Sequence, residues 1–235
     1  MNNKVGIITG ATSGIGEAVA RAMAAQGFNL VIHGRNEQKL QSLAAKLNAV
    51  YLKADISEPS TPAKLLQLAL ERYGRCDIAV NNAGTIEVGP IDTINIDKMS
   101  SMVRVNVEAA YRFIYHMVRH FQAQGSGDLV NISSVMGTKA RLYAGAYSGT
   151  KFAIEALSES LRMELARTDV RISCIEPGLV ETELQRDWEV QPSVSMNIPN
   201  PLQPSDVAVQ VMHVINQPAG IKIPRLMILP RDHEI

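Results

Sequence analysis

A tyrosine and a lysine four residues apart are the side chains of this chain best suited to proton transfer. They are Tyr147 and Lys151, and Ser134 precedes the tyrosine by thirteen residues. Residues four apart share one face of a helix. A phenol has an ordinary pKa near ~10, so it must become more acidic to exchange protons near pH 7, and a nearby ammonium favours that change. The spacing predicts a phenolic general acid/base with its own electrostatic activator.

The same pair could also lie by chance on a solvated helix face. A glycine-rich segment, residues 9–16, favours the chemical interpretation because it follows the first predicted strand and opens the first predicted helix. Glycines at such a turn let backbone amides approach a pyrophosphate, while the helix N-terminus faces the anion. The spacing GxxxGxG differs from the commoner GxGxxG, and a purely structural turn is the alternative. The predicted cofactor contacts in this segment are Gly10, Thr12, Ser13, Gly14, Ile15 and Gly16.

The end of the second predicted strand selects between the two nicotinamide cofactors. An acidic residue there would bind the ribose hydroxyls of NAD(H), whereas an arginine accommodates the 2′-phosphate of NADP(H). The chain reads His33-Gly34-Arg35-Asn36, with no acid at the strand end. We therefore predict NADP(H) over NAD(H), with Arg35 on the phosphate. A solvated arginine that opens the next helix is the alternative.

Composition argues against several classes of function. The chain has 235 residues, with 23 basic and 23 acidic side chains and a pI of about 7.0, so it carries no electrostatic footprint for nucleic acid or an anionic membrane. Cys76 and Cys174 match neither a CxxC motif nor a zinc-ligand spacing, which suits a reducing compartment. No apolar run approaches the length of a membrane span. We expect a soluble, cytoplasmic protein that forms a single domain over residues 1–235.

Short apolar, β-branched runs alternate with longer segments of helical period, which is typical of βαβ units. This pattern predicts an α/β fold, a doubly wound seven-stranded parallel sheet with helices on both faces. The predicted strands are residues 5–9, 29–33, 49–53, 78–81, 128–132, 171–176 and 225–229. The predicted helices are residues 15–26, 37–47, 62–73, 96–124, 146–167 and 204–217.

One irregular stretch, residues 183–201, precedes the last predicted helix. We predict a substrate lid there, and an ordered surface excursion is the alternative. We predict no metal site, because among five histidines only His116 and His120 have an i,i+4 spacing, and they lack an HExxH context.

Six features in this order resemble the short-chain dehydrogenase/reductase family, and the resemblance covers essentially the whole chain. They are TGATSGIG at 9–16, Asn81-Asn82-Ala83-Gly84 after the fourth strand, Asn106, Ser134, the Tyr147/Lys151 pair, and Pro177-Gly178 with Thr182. The family implies a Rossmann fold, a nicotinamide cofactor, a small alcohol or carbonyl substrate, and homodimers or homotetramers formed through the long helices that begin near Ile96 and Ala146.

The resemblance also implies a role for each matched residue. Tyr147 transfers the proton, and Lys151 lowers its pKa while bonding the nicotinamide ribose. Ser134 holds the substrate oxygen, and Asn106 keeps a water in a relay to Lys151. Asp55 matches the position that bonds the adenine amine. The remaining matched cofactor positions are Asn82, Ala83 and Gly84 beside adenosine, and Pro177, Gly178, Val180 and Thr182 near the carboxamide and phosphate.

The loop between Ser134 and Tyr147 is predicted to line the substrate pocket. Its predicted lining residues are Met136, Thr138, Lys139, Arg141, Leu142 and Tyr143. Lys139 and Arg141 could meet a substrate carboxylate or could simply be solvated. Residues 175–183 and the short C-terminal strand resemble the family branch that oxidises serine and other 3-hydroxy acids with NADP. Glu176 departs from the small or amide residue expected there, and either a solvated strand end or a group near the substrate mouth would explain it.

The function predicted is that of an NADP(H)-dependent oxidoreductase. A catalytically silent NADP(H)-sensing regulator of the same fold is the alternative, although a sensor needs none of the four residues implied in catalysis. An epimerase or dehydratase normally needs a larger substrate domain, and only 68 residues (235 − 167) follow the predicted catalytic helix.

Overall fold

The structure is a computed structural model, and it describes residues 4–186, 188 and 190–234. Within these residues seven strands form one sheet, and each begins and ends within two residues of its predicted position. They are β1 Val5–Ile8, β2 Asn29–Gly34, β3 Val50–Lys53, β4 Ile78–Asn81, β5 Ser126–Ile132, β6 Asp169–Pro177 and β7 Arg225–Ile228.

The strands pair in the order β3-β2-β1-β4-β5-β6-β7, and every pair is parallel. The predicted fold class is confirmed. Between β1 and β4 the direction of winding reverses, and in open α/β sheets ligands bind at such a point, outside the carboxyl ends of the strands. The topology therefore places a crevice where β1, β2 and β4 end.

In the part of the chain that the structure describes, eight α-helices connect or flank the strands. They are α1 Gly14–Ala25, α2 Glu37–Leu47, α3 Thr61–Tyr73, α4 Ile96–Val103, α5 Ala110–Gln124, α6 Gly145–Glu164, α7 Pro192–Ser195 and α8 Pro204–Ile215. Two hydrophobic clusters pack on opposite faces of the sheet, one beneath α1, α2 and α8 and the other beneath α3, α5 and α6. Both faces are thus covered, which a parallel sheet requires.

Three predicted helical or irregular segments differ from the structure. The prediction of one α-helix over residues 96–124 is wrong, because a π-helical segment, Arg104–Ala109, separates α4 from α5. The helix predicted over 146–167 ends at Glu164, where the chain turns toward β6. The stretch 183–201 contains a 3₁₀ turn, Glu183–Gln185, and the short helix α7. A π turn changes the helical period by only one residue, so apolar spacing does not reveal it.

Helix ends show how local sequence fixes these elements. Asn36 and Asn95 cap α2 and α4, each accepting a hydrogen bond from a backbone amide three residues later. Gly74 and Gly125 end α3 and α5 in the left-handed conformation that favours glycine. Among the described residues, no helix is long and apolar enough to cross a membrane.

Candidate active site

A cavity of about 420 Å³ lies at the carboxyl ends of the strands, a size typical of small-molecule and cofactor sites. Most residues predicted to bind the cofactor or to act in catalysis line this one cavity. Those lining it are Gly10, Thr12, Ser13, Gly14, Ile15, Arg35, Asp55, Asn82, Ala83, Gly84, Ser134, Tyr147, Lys151, Pro177, Gly178, Val180 and Thr182. Gly16 and Asn106 are not on its wall.

The glycine-rich turn between β1 and α1 forms one wall. Gly10 and Gly14 have φ of +66° and +53°, a region in which a side chain is strained. Gly16 lies behind the turn, where an added Cβ would clash with the Gly10 carbonyl oxygen and lie 2.5 Å from Asn82 Nδ2. The structure therefore gives Gly16 a packing role, and its predicted contact with the cofactor stays a prediction.

A hydrogen-bond network holds the turn against the end of β4. Thr9 Oγ1 accepts from the amides of Asn82 and Ala83, both at 3.0 Å. Asn82 Nδ2 donates to the carbonyl oxygens of Thr9 and Gly10, at 2.9 and 3.0 Å. Two of the matched motifs are thus bonded to each other, although 72 or more positions separate their bonded residues.

His33, at the end of β2, joins three walls of the crevice. Its Nδ1 lies 3.4 Å from the Gly10 amide, and its Nε2 lies 3.1 Å from the Ala54 carbonyl oxygen. An N–H donor on one side and an acceptor on the other fit a neutral ring that carries its proton on Nε2. Burial lowers the pKa of His33 to about 4, so the ring is neutral near pH 7. The sequence identified His33 only as part of a strand end without an acid, and no pattern in it indicated the contact with Gly10.

Arg35 and Asp55 face the outer part of the same crevice. Arg35 is exposed, and the described residues supply no hydrogen bond or ion pair to its guanidinium. Asp55 Oδ1 accepts hydrogen bonds from the Ser57 amide and hydroxyl, at 2.9 and 2.7 Å, and these bonds lower the pKa of Asp55. A free cation beside a glycine-rich helix N-terminus can hold phosphate groups.

Tyr147 and Lys151 lie on the same side of α6, as their spacing predicts, and both face the cavity. Lys151 Nζ lies 5.7 Å from the centroid of the Tyr147 ring and donates a hydrogen bond of 2.9 Å to the Ile132 carbonyl oxygen. Ser134 follows β5 in an extended conformation, and its Oγ accepts from the Met136 amide at 3.1 Å. The end of β5 and the first turns of α6 thus bring all three side chains to one wall.

Burial shifts the pKa values of Tyr147 and Lys151 in opposite directions. Burial raises the pKa of Tyr147 to about 12, and a hydrogen bond with Ser134 opposes the rise. Burial lowers the pKa of Lys151 to about 8, and the charge of Glu155 opposes the fall. Burial is the dominant influence on the phenol. Near pH 7 the phenol is therefore protonated. The predicted lowering of its pKa by Lys151 stays a prediction.

Asn106 lies in the π-helical segment and is buried. Its Oδ1 accepts from the Thr85 amide at 2.9 Å, and its Nδ2 donates to the Thr85 carbonyl at 2.8 Å and to Thr150 Oγ1 at 3.3 Å. These bonds tie the segment after β4 to α6. The predicted water relay from Asn106 to Lys151 stays a prediction.

The loop before α6 meets the C-terminal tail and turns away from the cavity. Of the six residues predicted to line the pocket, only Met136 does so, and Lys139 and Arg141 do not. Arg141 Nη2 lies 2.7 Å from His233 Nε2 and donates to the Glu234 carbonyl oxygen at 2.7 Å. His233 itself lines the cavity, and its Nδ1 lies 3.2 Å from the Leu179 amide. Nothing in the sequence pattern indicated that the tail reaches the site.

Neither explanation proposed for Glu176 is correct. Its side chain is 2% exposed and is absent from the cavity wall. It accepts a hydrogen bond of 2.5 Å from Arg225 Nε on β7. Burial raises the pKa of Glu176, and Arg225 opposes that rise. Glu176 is therefore the buried member of an ion pair between the last two strands, and its partner Arg225 is half exposed.

The first turn of the predicted lid does approach the cavity. Glu183, Leu184, Gln185 and Met196 line it, and Glu183 accepts from Lys39 Nζ of α2 at 3.0 Å. The lid function of residues 183–201 stays a prediction. The single domain over residues 1–235 also stays a prediction. Within the described residues, no group of three or more His, Cys, Asp or Glu side chains is placed to hold a metal ion.

Comparisons with known proteins agree with this arrangement. A family model described as short chain dehydrogenase matches residues 4–192. An uncharacterised oxidoreductase of Staphylococcus epidermidis is 32% identical over 232 residues, which is 98% of each chain. A structure described as the closed form of serine dehydrogenase complexed with NADP+ has a TM-score of 0.92 at 26% identity, covering 98% of this chain and 96% of the other. An alcohol dehydrogenase from the archaeon Thermococcus sibiricus, complexed with 5-hydroxy-NADP, has a TM-score of 0.88 at 27% identity, covering 99% and 98%.

Proposed function

The chain belongs to the short-chain dehydrogenase family, and from this premise we propose that it transfers a hydride between NADP(H) and a small alcohol or carbonyl compound. One observation carries the proposal. Tyr147, Lys151 and Ser134 face the same cavity as the glycine-rich turn, so a proton donor and an anion-binding turn serve one ligand site.

The side chains supply proton transfer and charge stabilisation. A bound nicotinamide would supply or accept the hydride. When a carbonyl is reduced, its oxygen gains alkoxide character, and the protonated phenol of Tyr147 donates its proton to that oxygen. The Ser134 hydroxyl donates a hydrogen bond to the same oxygen, which stabilises the developing charge. The ammonium of Lys151 stabilises the phenolate that remains, and the reverse sequence operates when an alcohol is oxidised.

The residues of the outer crevice fit a cofactor with a 2′-phosphate. The guanidinium of Arg35 makes no hydrogen bond or ion pair with the described residues, and neutral His33 occupies the strand end where NAD(H) sites carry an acid. Both similar structures reported above carry NADP-type cofactors. These features support NADP(H) as the cofactor.

The test of cofactor choice is kcat/KM for NADPH and NADH in the wild type and in Arg35→Ala. Loss of a charge-assisted bond to the phosphate should lower kcat/KM for NADPH by roughly 10- to 100-fold and leave the NADH value unchanged. Arg72→Ala, an exposed arginine of α3, is the matched control. An unchanged NADPH preference in Arg35→Ala would refute the assignment.

Turnover itself is tested by a panel of hydroxy acids, sugars, steroids and simple ketones, followed by NADPH absorbance. Tyr147→Phe should bind NADPH as the wild type does and lose activity by about 100-fold or more, since general acid catalysis contributes about that much. Tight NADPH binding without turnover of any compound would favour the sensing regulator instead.

We propose 3-hydroxy acids as the first substrates to test. The motif resemblance and the likeness to a serine dehydrogenase structure support this class. Arg141 could provide a carboxylate contact only if it left His233 and Glu234, its present partners. The discriminating measurement compares a 3-hydroxy acid with its methyl ester. Equal kcat/KM for the two would exclude recognition of the carboxylate.

We also propose a cytoplasmic homodimer or homotetramer. Large apolar side chains are exposed on α4, α5 and α6, and they are Ile96, Val103, Tyr115, Phe152 and Met163. Exposed apolar residues on neighbouring helices favour burial against a second copy. Light scattering of the purified protein at several concentrations would measure the assembly, and a monomer at all of them would contradict the proposal.

A further inference from the structure

Glu155 is a buried acidic residue one helical turn after Lys151. Tyr147, Lys151 and Glu155 follow one another at intervals of four along α6, so they share the face turned toward the sheet. Glu155 is 8% exposed, and neither of its carboxylate oxygens has a hydrogen-bond partner among the described residues. Buried charges are normally paired, so this carboxylate needs a compensating cation.

The nearest cation outside α6 is shared with a second carboxylate. Arg225 on β7 donates to Glu176 at 2.5 Å, whereas its Nε lies 3.6 Å from Glu155 Oε2. One guanidinium therefore faces two carboxylates, and the shorter contact belongs to Glu176. Arg225 alone does not balance the negative charge around Glu155.

Lys151, one helical turn before Glu155 on α6, makes no direct ion pair with it, and the two charges interact across a buried region. Burial and then the Glu155 charge raise the pKa of Cys174 to about 12, so this thiol stays neutral. Arg162, two turns further along α6, donates to the Pro224 carbonyl oxygen at 3.1 Å. A Cβ added at Gly137 would lie 3.1 Å from Glu155 Cγ and 3.3 Å from the Lys151 carbonyl oxygen, so Gly137 leaves room for the Glu155 side chain.

We infer that Glu155 is a positioning residue that supplies the countercharge for the Lys151 ammonium in the active site. The chemistry proposed above needs that charge, because a neutral amine could not stabilise the phenolate of Tyr147. Among the influences on the pKa of Lys151, the Glu155 charge is the largest that opposes burial. Glu155 makes no contact of its own with the cavity wall, so it acts through the lysine.

The role of Glu155 in catalysis rests on the proposed function, but its effect on Lys151 can be tested without any substrate. The ionisation of Lys151 is followed by the pH dependence of its reaction with a small acylating reagent, with the labelled peptide quantified by mass spectrometry. In the wild type the midpoint is expected near pH 8. Absence of turnover would count against the proposed function and leave this measurement interpretable.

Two variants remove the negative charge of Glu155, and two control variants retain it. Glu155→Gln keeps the shape of the side chain, and Glu155→Met keeps its approximate volume in a form that a buried site tolerates. Both should move the Lys151 midpoint to lower pH by about one pH unit, a tenfold change in the ionisation constant. Glu155→Asp, which retains the charge, should stay closer to the wild type than either. Glu159→Gln, an exposed acid one turn further along α6, should match the wild type.

A wild-type midpoint in folded Glu155→Gln or Glu155→Met would overturn the inference. If Glu155→Gln does not fold, the Met variant decides, because it leaves no unpaired buried polar group. Once a substrate is known, the pH profile of kcat/KM should move in the same direction in both neutral variants. A residue that only supported packing would lower stability without moving either profile.

Discussion

Protonation of His33 should destabilise the folded protein as the pH falls from 6.5 to about 4. In the folded state, burial holds the pKa of His33 at about 4, against an ordinary value of 6.5 in the unfolded chain. Between these values the unfolded state binds more protons, so the free energy of unfolding decreases as the pH decreases. Above pH 6.5 the ring is neutral in both states, and the contribution is fully present.

The magnitude follows from the difference between the two pKa values. That difference is 6.5 minus about 4, or about 2.5, and each pKa unit corresponds to about 1.4 kcal/mol. The full effect is therefore about 3 kcal/mol, of which about 2 kcal/mol is lost by pH 5. Asp55 faces the ring and favours its protonation, whereas Arg35 opposes it, and both are smaller influences than burial.

The assay is urea unfolding followed by circular dichroism at several pH values between 7 and 4. Other groups also titrate in this range, including His233, whose pKa burial also lowers. The comparison is therefore with His33→Asn, whose amide offers a donor and an acceptor but cannot titrate. The variant is expected to be less stable than the wild type at pH 7, and the gap should narrow by about 2 kcal/mol at pH 5. A gap independent of pH would refute the reasoning.

Three further substitutions have expected outcomes. Gly16→Ala should lower stability by roughly 1–3 kcal/mol, since its Cβ would clash with the Gly10 carbonyl oxygen, and thermal unfolding measures the loss. Arg225→Gln should cost roughly 1–3 kcal/mol in urea unfolding, because it leaves Glu176 buried without its cation; Arg225 is half exposed, which reduces the loss. Arg141→Ala should speed the release of C-terminal residues by carboxypeptidase, because the guanidinium holds the tail.

Each of these has a matched control. Gly149→Ala adds a methyl group in the interior of α6 with no atom within 4 Å, so it should be neutral or slightly stabilising. Arg231→Gln removes an exposed arginine and should change stability little. Lys139→Ala leaves the tail contacts intact. Equal effects in a variant and its control would show that the contact in question contributes nothing.

The parts of the molecule that the sequence predicted best depend on local pattern. The seven strands are short apolar runs, and a parallel sheet buried on both faces imposes that composition directly. The Tyr147/Lys151 pair was placed correctly because a spacing of four has one meaning on a helix. The burial that raises the pKa of Tyr147 has no such local signal, since the desolvation of the phenol depends on the whole fold around it.

Contacts between distant segments could not be predicted. The pairing of Glu176 with Arg225 depends on the register of β6 against β7, and 49 positions separate the two residues. His233 reaches the cavity through an irregular tail whose course is fixed by Arg141 and the Leu179 amide. The sequence gives no sign of the environment of Glu155, because helical periodicity indicates which face a residue occupies but not whether its side chain has a partner.

The π-helical segment between α4 and α5 limits where insertions and deletions can occur in this chain. A π turn holds one more residue than an α turn, and each residue of an α-helix advances about 100° around the axis. Deleting one position within 104–109 would rotate α5 relative to α4 by about that angle. Either Asn106 would leave Thr85, or the row containing Phe113 and Met117 would leave the hydrophobic cluster. Insertions and deletions should therefore collect in surface loops, and an alignment of functional relatives should show an ungapped block across this segment.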